Sequence, residues 1–103
     1  MAVVRTTPSA DRRILVAANW WWENRPATRD LFIREFVDAV TKLTRTPKIG
    51  TPYAHPRIAD VRRLLMRRTK YHVYYVYLPE HDEVRVLSVW RAMRRRGPAL
   101  KIP

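Results

Sequence analysis

Residues 61–90 read VRRLLMRRTKYHVYYVYLPEHDEVRVLSVW. Three runs rich in Val, Leu and Tyr lie in this stretch, at Val61 to Met66, Lys70 to Leu78 and Glu83 to Trp90, and they predict three strands. Pro79-Glu80-His81-Asp82 reads as the turn between the last two. In the third run Val84, Val86, Ser88 and Trp90 fall on one face, and Leu87 and Val89 on the other. Neither of the last two runs alternates cleanly between apolar and polar residues, so the sheet is expected to be covered on much of both faces.

Upstream of this stretch the periodicity changes. Val3 to Thr7 reads as a short strand. A helix is expected to follow from Pro8-Ser9, with Ser9 as N-cap and Asp11 in the first turn, and to end near Glu23 or Asn24 ahead of Pro26. Ala10, Ile14, Ala17 and Trp21 form its apolar face, and Arg12, Asn19 and Glu23 its polar face. Trp20, Trp21 and Trp22 are consecutive and fan over about 200° of a helix. One core-facing stripe takes Trp21 and leaves Trp20 or Trp22 near the surface, unless the helix is covered on nearly every side. Phe32, Phe36, Ala39, Val40 and Leu43 predict a second helix from about Pro26 or Thr28 to Leu43. The short link around Arg25 makes the two helices an antiparallel hairpin. Thr44 to Asp60, with Pro47, Gly50, Pro52 and Pro56, reads as an irregular loop. The expected class is α+β in the order β-α-α-β-β-β, with the helical hairpin packed on a small, mostly antiparallel sheet. Residues 1–103 are expected to form one domain.

Hydrophobic residues make up 47% of the chain and charged residues 29%, a balance that argues against a disordered tail. The absence of cysteine excludes a disulfide framework, a thiolate nucleophile and a Cys-based zinc site. The formal charge of +12 is the anomaly, and it is unevenly spread. Met1 to Asp38 carries six basic and five acidic residues, while Ala39 to Pro103 carries fifteen basic and four acidic. After Glu83 no acid remains, but Arg85, Arg91, Arg94, Arg95, Arg96 and Lys101 follow. Such a field steers a domain toward phosphate backbones or an acidic protein partner. A solvated basic surface is the bland account of it. Membrane-surface binding is disfavoured because the basic residues do not lie on one amphipathic helix.

Known catalytic patterns are sparse. Gly50 and Gly97 are the two glycines, which excludes a glycine-rich phosphate loop. His55, His72 and His81 lack metal-ligand spacing, and neither a metal nor another cofactor is expected. Nothing marks Ser9 or Ser88 as a nucleophile. Arginine and tyrosine remain. Arg62, Arg63, Arg67 and Arg68 lie on or near the first of the three runs, and Arg91 to Arg96 follow the last. If those strands were neighbours, the two groups would form one cationic patch able to bind phosphates bidentately. Core packing accounts for most of Tyr71, Tyr74, Tyr75 and Tyr77.

The residues resemble the RelE/ParE family of type II toxin–antitoxin toxins over nearly the whole length. The resemblance rests on WENRPATRDLF in the hairpin, the P-x-x-G turn at Pro47 to Gly50, VRRLLMRRTKYHVYYVY, and VRVLSVWRAMRRRGP. It implies a small basic toxin neutralised by a cognate antitoxin in a hetero-oligomeric complex. RelE-like members are ribosome-dependent mRNA endonucleases. Carried onto this chain, their site would draw on Arg62 or Arg63, His72 and Arg95. Leu65 stands where a second lysine is expected, and no tyrosine follows Tyr77. ParE-like members act on DNA gyrase without being enzymes. The missing nuclease residues favour that branch, with Arg91, Arg94, Arg95 and Arg96 expected at the gyrase contact. Trp20, Trp22, Arg62 and Arg63 are expected to meet the antitoxin. No apolar run is long enough to span a membrane, and a bacterial cytoplasmic location is expected.

Overall fold

β1 (Val3–Thr6) runs parallel to β5 (Glu83–Arg91), with Val4 opposite Val84 and Thr6 opposite Val86. β5 pairs antiparallel with β4 (Tyr71–Leu78), and β4 with β3 (Val61–Met66). β3 carries a two-residue partner, β2 (Thr51–Pro52), so the sheet has five strands in the order β1-β5-β4-β3-β2. The computed structural model describes residues 1–93 and 96–101. The segment expected to be an irregular loop therefore contributes one short strand. The three-run reading of residues 61–90 holds to within a residue at each end.

α1 (Pro8–Asn24) and α2 (Leu31–Arg45) pack against each other and on one face of the sheet. The N-cap of α1 is Thr7, not Ser9. Its hydroxyl accepts a hydrogen bond from the Ala10 amide at 3.1 Å. Pro8 then takes the first helical position, where its missing N–H costs nothing. The hydroxyl of Thr6 bonds the Asp11 carboxylate and fastens the strand to the first turn of the helix. The second helix starts later than expected, because Pro26–Thr28 forms a separate 3-10 turn. The core beneath the hairpin gathers Ala10, Ala17 and Trp21 from α1, Phe32 and Leu43 from α2, and Val73, Tyr75, Val84 and Val86 from the sheet. Phe32 stands edge-on to Tyr71 with ring centroids 5.0 Å apart.

The opposite face of the sheet is covered too, as the run pattern implied. Ile58, Val61, Tyr74, Val76 and Leu87 form a second cluster, closed by Tyr53, Leu78, Trp90 and Leu100. One expectation fails here. Leu87 is an extra residue between Val86, opposite Tyr75, and Ser88, opposite Tyr74. This bulge shifts the alternation by one residue. Val84, Val86 and Val89 therefore join the helix-side core, while Leu87 and Trp90 join the other. A strict period of two cannot foresee such an insertion.

Candidate functional site

β3 aims successive arginines at opposite faces. The Arg62 guanidinium turns toward the Pro47–Gly50 turn, donating to the Lys48 carbonyl at 3.1 Å and the Gly50 carbonyl at 2.8 Å. Arg62 is thus a structural strut rather than part of a shared arginine pair. Arg63 joins the outer face. Its guanidinium carbon lies 5.1 Å from the centre of the Tyr53 ring, and Nη1 reaches the Tyr74 hydroxyl at 3.5 Å. Tyr53 and Tyr74 meet edge to face at 4.9 Å, and His72 stands 5.9 Å from Tyr74.

His72 lies on β4 between Leu65 of β3 and Trp90 of β5. Burial pushes its pKa down from the usual value, and the positive charge of Arg63 lowers it further. Its Nδ1 is buried without a hydrogen-bond partner among the described residues. A neutral imidazole near a guanidinium is the arrangement that a base beside a phosphate-binding cation would take. Arg63 and His72 are the two members of the expected nuclease set that the fold brings to one face. Arg95 lies outside the described residues, as does Arg94.

The condition for joining the two arginine groups into one patch, that their strands be neighbours, is not met. β4 separates β3 from β5, so Arg62–Arg63 and Arg91 are not on neighbouring strands. Arg91 projects to the helix side, 5.3 Å from the Trp20 ring. Arg96 lies on the other side of the strand end, where its carbonyl accepts from Trp90 Nε1 at 2.7 Å. The following segment packs down over the outer face: Gly97 abuts the Tyr53 hydroxyl, which a Cβ there would have to displace, Pro98 is buried, and Leu100 joins the second cluster.

The tryptophan triplet divides as helical geometry requires. Trp21 is in the core, Trp20 is half-buried against it, and Trp22 is 57% exposed. Each of the outer two carries arginine. Arg25 lies 5.1 Å and Arg91 5.3 Å from Trp20, while Arg29 lies 5.3 Å from Trp22 and donates to its carbonyl at 3.0 Å. Arg13 of α1 lies 4.8 Å from the Trp90 ring. Sequence reading did not single out Arg13, Arg25, Arg29 or Tyr53. The available signal was spacing on α1, where Arg13 and Trp20 share a face seven residues apart.

A groove of about 550 Å³ runs between α2 and β3, lined in part by Ile33, Val37, Lys42, Leu65, Arg67 and Arg68. β2 covers only Arg62 and Arg63, so Leu64 to Met66 has a strand partner on the β4 side alone among the described residues.

Compared by sequence, the chain matches no family model and no curated protein. Compared by structure, it is similar to a chain of the RelBE2 toxin–antitoxin complex from Mycobacterium tuberculosis, at 26% identity and a TM-score of 0.62, over 88% of this chain and 92% of that one. It is also similar to a chain of the chromosomal ParDE system from P. aeruginosa, at 16% identity and a TM-score of 0.70, over 88% and 96%. The isolated RelE toxin of E. coli aligns at 19% identity and a TM-score of 0.56, over 91% and 87%. The last two likenesses concern the fold. Together with the strand order and the helical hairpin, these likenesses give the chain the fold of RelE and ParE toxins and support its resemblance to that family.

Proposed function

We propose that this protein is the toxin of a toxin–antitoxin pair, that it inhibits DNA gyrase, and that a cognate antitoxin holds it inactive. The observation that carries the gyrase reading is the packing of the outer sheet face. Tyr53, Tyr74, Trp90 and Leu100 close a second core there, with Pro98 buried and Gly97 against Tyr53. A surface filled by its own side chains suits a protein-binding role better than a cleft that must admit an mRNA backbone. The antitoxin is assigned to the groove between α2 and β3. An acidic, partly apolar segment there would add a strand to the open edge at Leu64–Met66, set apolar residues against Ile33, Val37 and Leu65, and meet Lys42, Arg67 and Arg68.

A short induced pulse of the protein in bacteria tests the target. Early loss of thymidine incorporation, together with inhibition of supercoiling by purified gyrase, is the expected result. Early loss of amino-acid incorporation with intact supercoiling would overturn it. The second reading, a ribosome-dependent mRNA endonuclease, is supported by the pairing of a depressed-pKa His72 with Arg63 on one face. Under that reading His72→Ala and Arg63→Ala would each abolish mRNA cleavage in translating extracts.

A further inference from the structure

Ala10, Ala17 and Trp21 turn one face of α1 into the core. The opposite face carries Leu15, Val16 and Trp22, each more than half exposed. At about 100° per residue, Arg12, Asn19 and Glu23 share that face, and all three are exposed. We propose that a second copy of this chain docks there, the two α1 helices packing antiparallel about a two-fold axis level with Ala18. The proposal rests on no reading of the toxin's target.

The order of charges along the face carries the argument. Arg12 lies near its start and Glu23 near its end, and neither forms an ion pair among the described residues. In an antiparallel pair, Arg12 of each copy lies level with Glu23 of the other. Leu15 then lies level with Trp22, and Val16 near Asn19. A parallel pair would set Arg12 against Arg12 and Glu23 against Glu23. At the rim the signs are reversed, with Asp11 at the start and Arg29 on the Trp22 ring at the end, so the reversed copy again brings opposite charges together. A face that complements itself when turned end for end is what a two-fold contact requires. The antiparallel arrangement also opposes the two helix dipoles.

Charge selects the occupant as well. The chain carries +12, and two copies repel over most of their surface. On this face Arg12, Arg29, Asp11 and Glu23 cancel. An acidic segment gains no net attraction there and is drawn to Lys42, Arg67 and Arg68 in the α2–β3 groove. No residue of α1 lines that groove, so an antitoxin seated in it leaves the α1 face free. The 17 residues of α1 span about 25 Å. A contact along one helix of that length is at the small end of interface sizes, so the dimer is expected to be reversible and to fill with concentration.

The experiment is sedimentation equilibrium of the purified full chain from about 1 to about 300 μM, at about 0.15 M salt, where repulsion beyond about 8 Å is screened. The mass is expected to rise from 12.3 kDa toward twice that value. Arg12→Glu and Glu23→Arg should each weaken association about tenfold, because each sets two like-charge pairs across the axis. The double variant carrying both reversals should restore it. Leu15→Gln should also weaken it about tenfold. Ile49→Gln, at an exposed apolar residue away from α1, should leave it unchanged. A monomer at every concentration would overturn the proposal, as would association indifferent to Leu15→Gln, or a double reversal as weak as the single ones. So would a chain that is monomeric alone but loses affinity for the antitoxin on Leu15→Gln, which would give this face to the antitoxin.

Discussion

Arg62 and Arg63 are adjacent in the chain but serve opposite faces of the sheet: one holds the carbonyls of Lys48 and Gly50, and the other lies on Tyr53. Their substitutions should separate accordingly. Arg62→Ala removes two charged hydrogen bonds to backbone carbonyls and should cost about 2 kcal/mol. Arg63→Ala loses a cation–ring contact on a half-buried surface and should cost less than about 1 kcal/mol. Urea denaturation of the two variants measures the difference. Equal losses would show that Arg62 is not a strut.

Tyr75 and Gly50 are joined across the helix-side core. The Tyr75 hydroxyl accepts the Gly50 amide at 2.9 Å, and burial raises the phenol's pKa against the lowering effects of that bond and of Arg62. A Cβ at Gly50 would come within 2.7 Å of the Tyr75 oxygen and 2.8 Å of the Arg63 carbonyl. Gly50→Ala must therefore push the turn away from β3, at a cost of about 2 kcal/mol or more. Tyr75→Phe leaves the buried amide without a partner and should cost about 1–3 kcal/mol. Thermal unfolding of both variants checks the pair, and a Gly50→Ala variant as stable as the parent would contradict it.

The contrast between these residues shows what sequence can reveal. Strand positions at 61–90 were legible because β-branched and aromatic residues cluster between turn formers. The family resemblance was legible because the order of motifs survives low identity. The bulge at Leu87 was not, because it depends on how β4 pairs with β5 rather than on residues 83–90 alone. Nor was the split role of Arg62, since the Pro47–Gly50 turn had first to be brought under β3. The contacts of Arg13 with Trp90 and of Arg91 with Trp20 each join residues more than seventy positions apart, and no local period reports such meetings.

Glu35 caps the turn between β3 and β4. Its carboxylate accepts from the amides of Arg68 at 2.7 Å and Thr69 at 2.8 Å, and from the Thr69 hydroxyl at 2.6 Å. Burial pushes its pKa up, but these bonds and the Arg68 charge outweigh burial and hold it below the usual 4.5. A folded-state pKa below the unfolded one contributes stability at pH above about 4.5 that is lost as pH falls through the folded value. Glu35→Gln should therefore be less stable than the parent at pH 7, and the gap should narrow on acidification. Urea midpoints from pH 7 to pH 3 measure it, and a gap independent of pH would rule out the charged cap.

His72 offers a second titration. Burial and then Arg63 hold its pKa below the usual 6.5, so the folded state binds its proton later than the unfolded chain as pH falls. Stability associated with this group is full above about pH 6.5 and declines as the pH drops toward the folded value. Arg63→Gln removes one of the two causes, so the His72 resonances in an NMR titration should move up toward 6.5 without reaching it. No movement would mean that burial alone sets the value, and it would weaken the endonuclease reading, which needs the two side chains to act together.

Trp20 and Trp22 differ by two positions on α1 and should differ in what their loss disturbs. Trp20 packs against the helix-side core and carries Arg25 and Arg91, so Trp20→Ala should cost about 2 kcal/mol of stability. Trp22 is exposed, with Arg29 on its ring, and Trp22→Ala should change stability by less than about 0.5 kcal/mol. An exposed aromatic anchored by an arginine is the kind of residue that concentrates binding energy. If the antitoxin continues from the α2–β3 groove across the hairpin, Trp22→Ala should raise its Kd about tenfold while the melting temperature stays near the parent's. Calorimetric titration of the antitoxin into each variant decides this, and an unchanged Kd for Trp22→Ala would confine the antitoxin to the groove.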